Sequence, residues 1–515
     1  MSLAILNSCA LNGINVPTVS VEVHVGTGLP AFTIVGLADT EVRESRERVR
    51  AALFNQGYDF PPGRLTVNLA PADLPKESGR YDLPIALGIL LATGQLQLGG
   101  QFGNTPAAQA QTLSRAVLAG ELSLSGALIP IQSALTLALG LTARQPPVEL
   151  YLPEPSARLA AQIHGLPVWG ARTLREFADH FSGARPLAPL APADLPSPRF
   201  PFPCLSDVKG QASACRALEI AAAGQHHVLM LGSPGTGKSM LAARLPGLLP
   251  PLSRDETLAA SALHTLNRPH QTLLQHRPFR SPHHSSSVVA LVGGGARPRP
   301  GEISLAHHGV LFLDELAEFS RPSLEALREP LETRKISLAR AAYRVDYPAH
   351  FQLVAAMNPC RCGWFGHSRR ACRCTPDQVR AYQGKVSGPL LDRLDIHIEL
   401  PPLPEGWLDF PPAPTSEQVR ARVQAARQRQ LQRQGACNAQ LDADALTERA
   451  ALSSEAQQLL NRAITRWSWS GRTVHRTMRL ARTIADLEGA AKVAAPHMAE
   501  ALSYRSPFAS QAPPV

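Results

Sequence analysis

Eight consecutive residues near the middle of the chain, Gly232-Ser233-Pro234-Gly235-Thr236-Gly237-Lys238-Ser239, satisfy the spacing G-x-x-x-x-G-K-[ST] of a phosphate-binding loop. Glycines there let successive backbone N–H groups converge on a phosphate. The Lys238 ammonium would reach the β and γ phosphates, and the Ser239 hydroxyl would ligate Mg2+. The apolar run 228–231 before the loop reads as a buried strand, and Met240-Leu241-Ala242-Ala243 after it as a helix whose positive dipole end faces the same anion. A second apolar run, Val310–Leu313, ends in Asp314 and Glu315. Asp314 would hold the Mg2+ through water and Glu315 would polarise the attacking water. Taken alone, the two acids could merely cap a helix; beside a phosphate loop they point to nucleoside triphosphate hydrolysis. A third run, 354–357, ends in Asn358, an amide suited to the γ phosphate or the lytic water. Arg393, in Leu391-Asp392-Arg393-Leu394-Asp395, precedes a last strand, Ile396–Leu400. A guanidinium at such an edge can neutralise charge on a neighbouring subunit's nucleotide, or it can pair locally with Asp392 or Asp395.

Cysteine supplies a further constellation. Cys360-Arg361-Cys362 and Cys372-Arg373-Cys374 form two C-x-C pairs nine residues apart, directly after Asn358. Four thiolates so spaced would close a tetrahedral Zn2+ site and staple a glycine- and arginine-rich insertion; the alternative is four reduced, free thiols. Cys9, Cys204, Cys215 and Cys437 are scattered. The His283-His284 and His307-His308 pairs lack companion acids and read as contacts in the nucleotide-binding core rather than metal ligands.

The elements that must position these groups follow from composition and pattern. The 515 residues suffice for about three domains. Hydrophobic residues make up 44% and charged residues 18%, with no apolar run of the ~20 residues a membrane helix needs. The start of the chain lacks a basic then apolar leader, so cytoplasmic residence is expected. The 51 Lys and Arg against 41 Asp and Glu leave a net charge of +10, which favours a polyanionic partner. Proline is dense over 186–203 and again over 401–414, marking two seams. Before the first, 19–25 alternates as a half-buried strand. Residues 39–57 read as a helix capped by Thr40, with Val42, Val49, Leu53 and Phe54 as its apolar stripe. Between the seams strands and helices alternate, as in a parallel sheet. Beyond the second, 415–434, Ser454–Trp467 and 474–487 read as helices.

The order of phosphate loop, Leu-Asp-Glu, strand-Asn, Leu-Asp-Arg and a helical segment carrying Ser470-Gly471-Arg472 resembles the AAA+ ATPases. Residues 279–284 (FRSPHH), 301–309 (GEISLAHHG) and 481–487 (ARTIADL) narrow the likeness to the Mg-chelatase-like ComM (YifB) family over nearly the whole chain. The resemblance implies a sensor-1 role for Asn358, a trans arginine finger at Arg393 and a sensor-2 role for Arg472, with Arg476 a neighbour. It implies ATP and Mg2+ as cofactors and a homo-hexameric ring acting as a helicase or branch-migration motor on single-stranded or branched DNA in recombination and natural transformation. The hairpin expected at 331–345 would offer Arg334, Lys335, Arg340 and Arg344 to a phosphate backbone, or present them to solvent. The rival reading is a MoxR- or chelatase-type remodeller of a protein partner.

Residues 1–182 resemble the protease domain of Lon, on the stretches 67–76 (VNLAPADLPK) and 118–126 (LAGELSLSG). A Lon-type enzyme needs a serine nucleophile beside a lysine. After Pro75-Lys76 that pattern expects Gly-Pro-Ser-Ala-Gly, whereas this chain has Ser78-Gly79-Arg80-Tyr81-Asp82. The lysine position falls near Leu135. Ser78 beside Lys76, two residues apart on extended chain and so facing the same way, is the one residual pair, and proteolysis is not expected. The predicted whole is α/β: this Lon-protease-like α+β domain without its dyad (1–182), a proline-rich linker (183–203), an AAA+ core with a parallel sheet (204–402) and a C-terminal helical lid (403–515), with the N-terminal domain's partner unknown.

Overall fold

A computed structural model of the protein describes all residues except 1–2, 37–38, 75, 77, 104, 143, 196, 268–272, 296–297, 341–342 and 506–515, and except the side chains of 40, 41, 340 and 343. It forms two compact units. The first comprises Met1–Pro196, Arg254–Leu273 and Ser337–Asp346; the second comprises Ser197–Ser253, Leu274–Ile336 and Tyr347–Val515. Division at the 183–203 linker is thus redrawn for the helix Arg254–Asn267. Its Leu258 and Ala262 join the core of the first unit, and the Ala262 carbonyl accepts from Thr136 Oγ1 at 3.2 Å.

The first unit is built on a seven-stranded mixed sheet. Its centre is the strand Leu3–Cys9, antiparallel to Thr18–Gly26 on one side and parallel to Ala116–Leu118 on the other. The alternation read over 19–25 is realised: Val19, Val21 and Val23 are buried and pack with the helix Asp82–Ala92, which is apolar throughout after its first residue. The helix predicted over 39–57 spans Thr40–Asn55 and is capped by Asp39 rather than Thr40, with Asp39 Oδ1 accepting from the Val42 amide at 2.9 Å. Asp is at least as good a cap as Thr. Phe54 leaves the predicted stripe. It is 77% exposed, because it follows Leu53 by about 100° around the helix, and Ala52 takes the buried place.

The second unit holds a five-stranded sheet in which every paired strand is parallel, in the order Phe279–Arg280, Val310–Leu313, Gln352–Met357, Val228–Gly232, Ile396–Leu400. Strands buried on both faces read as continuous apolar runs, which is why the runs 228–231, 310–313 and 354–357 were legible. Beyond the second seam, among the described residues, come five α-helices: Ser416–Gln434, Ala443–Ala450, Ser454–Trp467, Gly471–Leu487 and Ala495–Ser503. The first opens with a capping box, Thr415 with Gln418, and closes on Gly435 in the left-handed region. The third predicted helix begins at Gly471, not 474, because Ser470 Oγ caps it by accepting from the Thr473 amide. Ala443–Ala450 and Ala495–Ser503 are short and alanine-rich, with too little periodicity to announce themselves. One apolar core runs from the sheet into these helices. At its edge Asp486, buried, takes ion pairs from Arg433 and Arg482, each at 2.7 Å. No helix among the described residues is long and apolar enough to cross a membrane.

Candidate functional site

Parallel register decides which side chains meet. Leu231 stands opposite Met357, so Gly232 and Asn358 leave the sheet side by side; Leu313 stands opposite Ala355, so Asp314 emerges next to them. Ligands of open α/β sheets bind at these carboxyl ends. Gly235 and Gly237 have φ of +83° and +85°, a conformation that turns the loop's amides inward and that a side chain would strain. The helix Lys238–Ala242 follows at once.

Lys238 Nζ, nearly buried, donates to the carbonyls of Gly232 at 2.6 Å and Ser233 at 3.0 Å, and to Asn358 Oδ1 at 3.1 Å. Burial lowers its pKa, against the pull of Asp314 and Glu315. Ser239 Oγ donates to Asp314 Oδ2 at 2.6 Å, so the two oxygens expected to flank Mg2+ are already adjacent. Asp314 Oδ1 accepts from the Glu315 amide at 2.9 Å. Glu315 has a left-handed backbone, φ +52°, which aims its half-exposed carboxylate out of the strand line. His284 Nδ1 lies 3.0 Å from Glu315 Oε2. That histidine pair therefore does contact the nucleotide-handling core, as expected. The donor set fits a nucleoside triphosphate with Mg2+: loop amides and an ammonium for phosphates, a hydroxyl and a carboxylate for the ion, and a second carboxylate beside it.

Sequence reasoning missed Gln211. Its Nε2 donates to the Thr236 carbonyl at 2.6 Å, bracing the loop, while its buried Oε1 has no partner. Gln211 also lines an apolar cleft of roughly 460 Å3 with Val208, Gly210, Phe410, Ala413 and Val419. The size and apolar lining of that cleft suit a flat base, and the Gln211 bond ties it to the phosphate loop. The short stretch Val208-Lys209-Gly210-Gln211, just past the linker, was the available signal.

Arg393 and Arg472 lie elsewhere. Arg393 is buried, not directed outward, and it pairs with neither Asp392 nor Asp395; Nη2 donates to Glu332 Oε1 at 2.5 Å and Nη1 to the Pro389 carbonyl at 2.6 Å. Arg472, 63% exposed, reaches the same Glu332 oxygen at 3.5 Å. Both line a basic cleft with Arg334, Arg476 and Arg479, and the lining includes no residue of the phosphate loop. Arg476 stands 3.7 Å from Asp395. Burial would raise the Asp395 carboxyl, but the His226 hydrogen bond and the charges of His226, Arg476 and His227 hold it far below the usual range.

The expected hairpin exists as the strands Lys335–Arg340 and Tyr343–Pro348. Arg334 sits at its base, as the left-handed cap of the helix Arg328–Thr333, rather than on a projecting strand. Lys335 and Arg344 are exposed on the two strands, and the Arg340 side chain lies outside the described residues. The four cysteines of the loop after Asn358 converge, with every Sγ within 4.8 Å of the others. The residual Lon-like pair does not form. Ser78 has φ +69°, off the extended conformation that would align it with Lys76, and its Oγ accepts from Arg80 Nε at 2.9 Å, while Lys76 Nζ donates to the Pro71 carbonyl. Leu135, at the lysine position, is buried.

Comparison with known proteins places most of the chain in one family. Residues 204–407 match the family described as magnesium chelatase, subunit ChlI; 21–153 match subunit ChlI of Mg-chelatase; 413–505 match its C-terminal region. The uncharacterized protein YifB of Escherichia coli is 44% identical over 510 residues, 98% of this chain and 97% of that one. The competence protein ComM of Haemophilus influenzae is 43% identical over 515 residues, 98% of each. Lon protease 2 of Bacillus subtilis is 29% identical over 175 residues, 29% of this chain and 32% of that protease.

Proposed function

Because the chain belongs to the magnesium-chelatase-like YifB/ComM family of AAA+ proteins, we propose that it is an ATP-hydrolysing motor that works as a homo-hexameric ring on single-stranded or branched DNA. Its place would be branch migration during recombination in natural transformation, within the cytoplasm. The loop amides and Lys238 hold the phosphates, Ser239 and Asp314 hold Mg2+, and the base lies against Gln211. Glu315 accepts a proton from water attacking the γ phosphorus as the bond to the β-γ bridging oxygen breaks, with Asn358 orienting that water.

One observation carries the ring: Arg393 and Arg472 gather around Glu332, in a cleft without a single phosphate-loop residue. In a ring these arginines would add to Lys238 by serving a neighbouring copy's nucleotide, whose γ phosphate would compete with Glu332 for the two guanidinium groups. DNA as the partner is favoured by the +10 charge, by exposed Lys335 and Arg344 on the hairpin, and by the competence relative. The test is ATP turnover with single-stranded, forked and four-way DNA across a salt series. Stimulation that falls steeply with salt, with rings formed in ATP, is expected. Turnover indifferent to every DNA would overturn this reading in favour of a motor that remodels a protein partner.

A further inference from the structure

The segment from Asn358 to Thr375 contains no helix or strand, yet it begins at a residue that touches Lys238. Irregular loops of that length need a staple to hold one shape. Here the cysteines supply it. Cys360 is buried and the other three are half-buried. The Sγ separations are 3.3 Å for Cys360 to Cys362, 3.5 Å for Cys362 to Cys372 and 3.7 Å for Cys360 to Cys372. Four sulfurs placed ~2.3 Å from a central Zn2+ in a tetrahedron lie about 3.8 Å apart, whereas a disulfide needs about 2.05 Å. The Cys374 amide points at Cys372 Sγ at 3.4 Å, the kind of outer hydrogen bond that steadies a metal thiolate. Soft sulfur ligands in a closed set of four select Zn2+ over Mg2+.

The loop is also joined to the phosphate site. Gly363, with φ +82°, lies so close to the phosphate loop that a Cβ on it would stand 2.6 Å from Pro234 Cδ. Its amide donates to the Cys360 carbonyl at 3.0 Å, which makes this contact part of the cysteine turn. On the other flank, Gln383 Nε2 holds the Pro359 carbonyl at 2.9 Å. The first cysteine therefore stands two residues from Asn358, and the turn it closes rests on the second residue after Gly232.

We propose that Cys360, Cys362, Cys372 and Cys374 bind one Zn2+, and that this clasp fixes Asn358 and Pro234 so that ATP affinity depends on metal occupancy. The metal half stands on the sulfur geometry alone; the coupling half rests on the ATP site described above.

The experiment uses the full chain purified under reducing conditions. Metal analysis should find one Zn2+ per chain, and Co2+ replacing it should give the strong visible absorption of tetrahedral cobalt thiolate. Metal well below one equivalent, with no such spectrum after Co2+ addition, overturns the site. Binding of a fluorescent ATP analogue is then measured before and after zinc removal, and in Cys374→Ser, chosen because its sulfur is half-exposed and its replacement is isosteric. Loss of the clasp should raise the analogue's Kd about fivefold, the effect of misplacing roughly one buried hydrogen bond. Zinc-free protein that keeps its secondary structure and binds the analogue unchanged overturns the coupling. If the zinc-loaded protein binds no ATP at all, the proposed function falls, while the cobalt spectrum still decides the metal site.

Discussion

The two units treat their polar groups differently. In the second unit the phosphate loop leaves polar groups with valences to spare: Gln211 Oε1 has no partner, and the Glu315 carboxylate is half-exposed. In the first unit the groups at the Lon-like positions are engaged in structure. Leu135 fills the lysine position with buried hydrocarbon, Ser78 and Lys76 are occupied by different partners, and the residue three places after Gly79 is Asp82, a buried carboxylate that takes Arg48 Nε at 2.7 Å, the Leu122 amide at 3.1 Å and Ser45 Oγ. Polar groups left without partners cost stability, so leaving them so points to chemistry, whereas engaging them points to structure.

The sharpest break between the units should appear on replacing Glu315. Removing a general base typically costs 10²- to 10⁴-fold, so Glu315→Gln should lower ATP turnover by about a thousandfold while nucleotide still binds. Turnover unchanged in a steady-state phosphate-release assay would remove Glu315 from the role. Next in size is Arg48→Ala in the first unit. It leaves Asp82 buried without its cation, and burial already pushes that carboxyl up despite the Arg48 and Ser45 hydrogen bonds. Breaking such a pair costs about 3 kcal/mol, discounted little because only the Arg48 side is partly exposed. Denaturant unfolding should show this loss while turnover per folded chain stays unchanged. A stability equal to that of the parent would mean Asp82 is not the keystone it looks to be.

Legibility in the sequence followed the same line. Three of the parallel strands were readable because burial on both faces makes them uninterrupted apolar runs, and two of these, 310–313 and 354–357, run directly into polar residues, Asp314 and Asn358. Gln211 was missed because the only signal for it is the four-residue stretch Val208-Lys209-Gly210-Gln211, which carries no periodicity. Arg393 was found by motif, but its burial against Glu332 depends on a residue 61 positions away, a pairing that no local pattern encodes. The membership of Arg254–Asn267 in the first unit is of the same kind: Leu258 and Ala262 mark an apolar face without saying which core it fills.

Titration should separate the units by a smaller margin. In the second, burial pushes His397 down to about 4 from 6.5, so the folded chain refuses a proton that the unfolded chain accepts. Stability from this residue is present above pH 6.5 and is lost as pH falls toward 4, at about 1 kcal/mol per pH unit inside that window. Asp82 in the first unit works with the opposite sign. Its carboxyl is raised, so its contribution is greatest at low pH and is lost as pH rises. Acidification from 7 to 4.5 should therefore lower the thermal midpoint through the second unit, and His397→Gln should flatten that limb. A limb of undiminished slope in the variant would assign it to other groups.

The smallest expected effect is none, and it is the most direct test of the contrast. Ser78→Ala removes the one hydroxyl that remains near a lysine at the Lon-like position. For that hydroxyl to act as a nucleophile, Lys76 Nζ would have to accept its proton, yet Lys76 is engaged by the Pro71 carbonyl, and Ser78 Oγ already accepts from Arg80 Nε. Burial does lower the Lys76 pKa, the one property in common with a catalytic lysine, so low pKa without geometry is what is being tried. The parent and Ser78→Ala should be equally inert toward unfolded casein and short peptide substrates, and equal in ATP turnover. Cleavage by the parent that vanishes in the variant would show that the first unit still catalyses, and the two units would then differ in degree and not in kind.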